Sequence, residues 1–213
     1  MTKKERALLV CDTLDEIYPD AECSLTYDEP YQLLFAVRLS AQCTDARVNI
    51  VTKELFKKYP DLQSFADADI SELENIIRPC GFFRAKAKSI KETAAMLIER
   101  FNSEVPSDMN DLLTLSGVGR KTANLIRGDV FGLPAVVADT HCIRISGRLG
   151  FTESKDPVKV EMDLLPIIPA ERSSRFCHQL VQFGRDVCNA RKPLCENCKM
   201  KSFCLFYVKN NKK

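Results

Sequence analysis

The sequence predicts an all-α protein. Apolar residues recur three and four positions apart along most of the chain, the spacing of a helix with one buried face. The pairs that close tight β-hairpins, Gly-Gly, Asn-Gly and Asp-Gly, are absent, and no sustained alternating pattern marks a strand. Proline and short polar residues fall where helical runs begin.

Taken in order, Glu29-Pro30 opens a helix whose Leu33, Leu34, Val37 and Leu39 read as core. A second begins at Thr44-Asp45 and carries Val48, Val51 and Leu55 on one side. A third covers about residues 84–101, with Ile90, Ala94, Leu97, Ile98 and Phe101 on one face. Pro106-Ser107 starts a short helix that ends in Leu115-Ser116-Gly117-Val118-Gly119, and another begins at Arg120 and is broken by Gly132-Leu133-Pro134. Asp156-Pro157 caps the next, with proline at its first position. The last runs from about Ala170 to Val187 and leads into a cysteine-rich loop.

With 213 residues, 45% of them hydrophobic and 28% charged, the chain can bury a core in one or two domains. Disordered, collagen-like and disulfide-miniprotein classes are excluded. No apolar run approaches the roughly 18 residues needed to span a bilayer. The start of the chain has only four apolar residues before Cys11, so no signal peptide is expected and the chain is placed in the cytoplasm, without membrane contact.

Ten cysteines in a reducing compartment then need an explanation other than disulfides: scattered ones can be free core thiols, and clustered ones point to metal. Six are scattered: Cys11, Cys23, Cys43, Cys80, Cys142 and Cys177. The other four, Cys188, Cys195, Cys198 and Cys204, follow the pattern Cys-x6-Cys-x2-Cys-x5-Cys. Four thiolates suit tetrahedral zinc or an iron–sulfur cluster. Only Cys195 and Cys198 form a zinc-type knuckle pair, so the spacing favours the larger object. Arg191, Lys192, Lys199 and Lys201 interleave these cysteines. From Arg185 onward eight basic residues, Lys212 and Lys213 among them, face two acidic ones, so this end carries +6 on a chain of net +2. Such an end suits a surface that meets a polyanion, or simply a solvated tail.

Leu115-Ser116-Gly117-Val118-Gly119-Arg120-Lys121 sits between two helices. Its glycines can expose backbone N–H groups beside the positive end of a helix, which makes a site for one phosphate that reads no base. A plain helix–helix turn is the alternative. Lys121 is electrostatically misplaced in a first helical turn next to Arg120, and both effects disfavour the ammonium form. It reads either as a nucleophile able to form a Schiff base or as a phosphate ligand. Asp139, after the apolar Val136-Val137-Ala138, reads as a helix N-cap or as a carboxylate that stabilises positive charge on a sugar carbon. His141 and Arg144 would face the same backbone.

Together these segments resemble the endonuclease III family of helix–hairpin–helix DNA glycosylases. The matching residues are Leu39-Ser40-Ala41-Gln42-Cys43-Thr44-Asp45, Leu115 to Asn124, Val137-Ala138-Asp139-Thr140-His141, Ala190-Arg191-Lys192-Pro193 and the four spaced cysteines. The resemblance covers about residues 5–207. It implies a six-helix barrel over residues 23–132, with the helix–hairpin–helix at about 107–131. It implies a second, discontinuous helical domain of residues 1–22 and 133–213, with a 4Fe–4S cluster in loop 188–204. The implied activity is excision of oxidised pyrimidines such as thymine glycol from damaged double-stranded DNA, with strand cleavage 3′ to the abasic site. By position Lys121 matches the nucleophile, Asp139 the essential carboxylate, the four cysteines the cluster ligands, and Gln42 the residue that fills the gap left by a flipped nucleotide. Asp45, Phe82, Gly117, Gly119, Arg120, His141, Arg144, Arg191 and Lys192 are the further residues expected at DNA. A monomer is expected.

The chain departs from the family pattern in places. Ser116 stands where proline is common, which should loosen the hairpin slightly. Phe82 stands where a wedging leucine is often found, and it reads equally as a stacking residue or as core. Cys43 beside Gln42 has no mechanistic use. Two other readings differ in chemistry. A monofunctional, adenine-specific relative would lack the hairpin lysine and usually carry an extra C-terminal domain, which a chain of this length is not expected to have. A non-enzymatic DNA-binding module would not need a carboxylate beside phosphate.

Overall fold

A computed structural model describes residues 1–210, and Lys212 and Lys213 of the basic end lie outside them. The described residues form helices and connecting turns without β-strands. None of the helices is long and apolar enough to cross a membrane. The chain divides into two compact units, one of Met1–Glu22 with the residues from Gly132 onward, the other of Cys23–Phe131.

In the Cys23–Phe131 unit the helices are α2 (Pro30–Ser40), α3 (Asp45–Lys58), α4 (Leu62–Asp67), α5 (Ile70–Ile77), α6 (Phe83–Phe101), α7 (Met109–Thr114) and α8 (Arg120–Asp129). Their starts follow from local chemistry. Glu29 accepts the Gln32 amide in a capping box with Pro30 at the first position, and Thr44 accepts the Arg47 amide. The short helix before the hairpin begins at Met109, not at Pro106-Ser107. Asp108 accepts the amides of Asn110 and Asp111 and so outcompetes the proline as the start signal. α4 and α5 leave no mark in the periodicity, because helices of six and eight residues hold too few turns to display it.

The buried faces meet around Phe65, which is ringed by Phe35, Tyr59, Tyr31 and Phe56 at centroid distances of 4.9–6.3 Å. Leu33, Leu39, Val48, Leu55, Leu73, Leu97 and Ile126 complete this core. Within it α6 packs against α4 and α5, α2 against α3 and α8, and α7 against α8. The longest helix, α6, is thus the element against which α4 and α5 rest.

The other unit contains α1 (Lys3–Ile17), α9 (Thr140–Leu149), α10 (Pro157–Leu164), α11 (Ser173–Asp186) and α12 (Leu205–Asn210). The helix expected over 170–187 is a 3-10 turn at Ala170–Arg172 followed by α11. α11 packs on α1 and α9, and α9 also meets α10 and α12. Arg172 ties this bundle together, pairing with Asp12 at 2.8 Å and with Asp15.

Candidate nucleic-acid interface and active site

The side chains expected to carry the chemistry fall into two groups, one in each unit. In the Cys23–Phe131 unit, residues 115–119 form a turn closed by Val118 N–H donating to the Leu115 carbonyl at 3.1 Å. Gly117 has φ +74°, and a Cβ there would lie 2.4 Å from Ser89 Oγ and 2.6 Å from Arg38 Nε. Only glycine fits. Gly119 differs: it is extended, at φ −99°, and a Cβ would meet nothing within 4 Å. Packing inside the protein therefore gives no reason for glycine at 119, whereas close approach of an external group to its N–H would.

The turn is not left loose by Ser116. Its Oγ donates to Glu92 at 2.7 Å, and its carbonyl accepts the Ser89 and Thr93 hydroxyls at 2.5 and 3.2 Å. Arg38 Nε adds a bond to Ser89 Oγ at 3.2 Å. These partners on α2 and α6 were missed from the sequence, since nothing local links them to residues 116–117. Gly119 caps α8, so Arg120 and Lys121 occupy its first turn. Lys121 is exposed and makes no hydrogen bond or ion pair with the described residues.

Two further loops of this unit present the residues expected to enter the duplex. Gln42 is exposed at φ +57° and Phe82 is 67% exposed at φ +47°. Phe82 is therefore not a core residue. Left-handed backbone costs a non-glycine residue about 1–2 kcal/mol, a strain usually kept where it serves a function. Asp45 is the first residue of α3 and accepts the Ser24 hydroxyl at 2.6 Å, so part of its capacity is used within the fold.

In the other unit Asp139 caps α9, its Oδ1 accepting the Cys142 N–H at 2.7 Å. It is half-buried at the end of the buried run Ala135–Ala138. Below it lie the buried thiols of Cys142 and Cys177, the latter pushed up well above the ordinary thiol range by a hydrogen bond to Cys142 and by burial. Of the residues expected at DNA, Arg191 and Lys192 are exposed. Arg144 is directed inward: its Nη2 donates to the carbonyls of Cys188 and Gly184 at 3.1 and 3.3 Å and meets His141 Nδ1 at 3.3 Å. Two interleaved lysines are also partly engaged, Lys199 with Glu16 at 2.6 Å and Lys201 with the Glu196 carbonyl at 2.9 Å.

The four spaced cysteines line one cavity, whose walls include Leu149, Phe183 and Met200. Burial raises the Cys195 and Cys198 thiols, and the neighbouring thiols raise them further. Four thiols in that position repel as thiolates unless a cation lies among them, so the donor set is chemically suited to a thiolate-bound metal centre. Among the described residues, no group of three or more Cys, His, Asp or Glu is gathered closely enough to hold a metal ion. Arg148 was missed from the sequence. Its guanidinium donates to Cys188 Sγ and to the carbonyls of Cys188, Asn189 and Ala190 at 2.8–3.3 Å, and it stacks on Phe206. The available signal is its place one turn after Arg144 on the same face of α9.

Comparison with known proteins bears on the chain as a whole. Residues 35–170 match the model of the HhH-GPD superfamily base excision DNA repair proteins. Endonuclease III of Synechocystis sp. is 48% identical over 204 residues, covering 95% of this chain and 93% of that protein. A solved non-covalent endonuclease III–DNA complex is 43% identical with a TM-score of 0.90, covering 100% of both chains. A trapped endonuclease III–DNA covalent intermediate is 44% identical, also with a TM-score of 0.90, over 99% of both chains. The chain belongs to the endonuclease III family of helix–hairpin–helix base excision DNA repair proteins.

Proposed function

We propose that this chain, a DNA glycosylase and abasic-site lyase by family, binds damaged double-stranded DNA as a monomer in the cytoplasm and removes oxidised pyrimidines, thymine glycol among them. The observation that carries this reading is Lys121: an exposed, unpaired amine in the first turn of α8, directly behind a hairpin in which a Cβ at Gly119 would meet nothing within 4 Å.

The hairpin amides and the α8 N-terminus hold a backbone phosphate, with Arg120, Arg191 and Lys192 supplying further positive charge. Bending of the duplex lets the damaged nucleotide leave the stack, at a cost of a few kcal/mol that is least for a poorly stacked base. Gln42 fills the space vacated and Phe82 stacks on the opposite strand. The Lys121 Nζ lone pair attacks C1′, and the glycosidic bond pair departs with the base, which gains a proton. Asp139 stabilises the positive charge that develops on the sugar. Loss of the Nζ proton and opening of the ring yield an imine. Removal of a C2′ proton then drives β-elimination, in which the C3′–O bond pair leaves with the 3′ phosphate.

Cys188, Cys195, Cys198 and Cys204 would hold a 4Fe–4S cluster, which when bound supplies a cross-link of the loop rather than a reaction step. Arg148 and Arg144 keep the backbone of that loop in place, so that Arg191 and Lys192 project from a fixed frame.

The test is borohydride trapping on a duplex with one thymine glycol, comparing the wild type with Lys121→Gln. A covalent protein–DNA adduct that requires Lys121 is expected. An active wild type that gives no adduct would make water the nucleophile and the protein monofunctional.

A further inference from the structure

Lys86 of α6 is 1% exposed, among the largest fully buried side chains of the chain. Its Nζ donates to three main-chain carbonyls, those of Leu39, Ala41 and Cys80, each at 2.8 Å. Three acceptors match the three protons of an ammonium. The titratable groups around it are the Cys80 and Cys43 thiols and Arg38, and burial pulls its pKa below the ordinary lysine range. Keeping a charge in such a place is unfavourable unless what it holds matters.

What it holds is specific. Ala41 directly precedes Gln42, and Cys80 directly precedes Gly81 and Phe82, all three in left-handed backbone. The two loops are far apart in sequence and come from different helices, yet one cation takes a carbonyl from the base of each. We propose that Lys86 is a positioning residue that joins the Gln42 and Phe82 loops into one rigid pair, so that both side chains meet the duplex at a fixed separation. This rests on the reading that those two residues enter the DNA around the flipped nucleotide.

Single-turnover base excision on a thymine-glycol duplex is compared with cleavage of a single-stranded abasic oligonucleotide, where no opposite strand has to be engaged. Lys86→Met is expected to lower the duplex rate about tenfold or more relative to the single-strand rate. In a Gln42→Ala/Phe82→Ala background the same change should cost less than about twofold, because residues acting through one another are not additive. Lys86→Gln, which keeps part of the hydrogen bonding, should show the same direction if Lys86→Met folds poorly.

Equal losses on both substrates, or a full extra penalty in the double background, would reduce Lys86 to a fold-maintaining residue and overturn the proposal. Impaired duplex excision in Gln42→Ala/Phe82→Ala with none from either Lys86 variant would also overturn it, while leaving the reading of the loops intact. Unimpaired duplex excision in Gln42→Ala/Phe82→Ala would overturn that reading itself.

Discussion

Replacing each hairpin glycine by alanine separates what the fold needs from what the DNA needs. At Gly117 the new Cβ sits at φ +74°, which costs about 1–2 kcal/mol. It also lies 2.4 Å from Ser89 Oγ and 2.6 Å from Arg38 Nε, so both side chains must move. Their movement breaks the Ser89–Ser116 and Arg38–Ser89 hydrogen bonds, each contributing about 0.5–1.5 kcal/mol. Gly117→Ala should therefore destabilise by about 3 kcal/mol, or about 6–12 °C in Tm for a chain of this size. At Gly119 the backbone is extended and a Cβ meets nothing within 4 Å, so Gly119→Ala should change stability by no more than about 1 kcal/mol, the cost of a poorer helix cap. Its methyl group would nonetheless stand where a phosphate approaches the amide. Thermal unfolding followed by circular dichroism gives the first quantity, and abasic-duplex affinity at fixed salt gives the second. Wild-type Tm for Gly117→Ala would refute the steric argument. Wild-type DNA affinity for Gly119→Ala would refute the assignment of the hairpin amides to phosphate.

Three other outcomes follow from the same structure. Asp139→Asn retains a capable N-cap, so stability should hold within a few tenths of a kcal/mol while turnover falls about 100-fold; Asp139→Ala should lose about 1 kcal/mol of stability as well. Wild-type turnover by the asparagine variant would leave Asp139 as a cap alone. Arg148→Met removes four hydrogen bonds to residues 188–190, and should speed the release of iron to a chelator from protein carrying the proposed cluster. An unchanged release rate, followed by visible absorbance, would deny Arg148 that role. Burial works to raise the Asp15 carboxyl, but Gln179 and Arg172 outweigh it and hold the group below its usual range. A carboxylate lowered on folding contributes stability above its unfolded pKa and loses it as pH falls through the folded value. Urea unfolding of Arg172→Met should therefore differ from wild type more at pH 7 than below about pH 3, and equal differences at both would contradict the linkage.

The local features of this protein were legible because the forces behind them are local. A side-chain oxygen at Thr44, Asp139 or Asp156 meets an amide three residues away, and proline at 30 or 157 suits a first helical turn. The same holds for the spacing of Cys188, Cys195, Cys198 and Cys204, and for Lys121 behind a two-glycine turn. Where two local signals competed the sequence misled: Pro106 and Asp108 both announce a helix, and only the carboxylate with amides in reach starts one.

What the sequence by itself determined was the helical class, most helix starts and the residue types able to carry the chemistry. What only the tertiary structure decided was which distant groups complete them. Nothing near Ser116 in sequence announces Ser89, Thr93 and Glu92 as its partners. Nothing near Phe82 decides between core and solvent, since a lone aromatic after glycine has no periodicity to read. Nothing in a lysine on α6 shows that its charge is buried among the carbonyls of two loops. Those choices depend on packing between segments tens of residues apart, where burial removes water and leaves each polar group to find its partner across the fold.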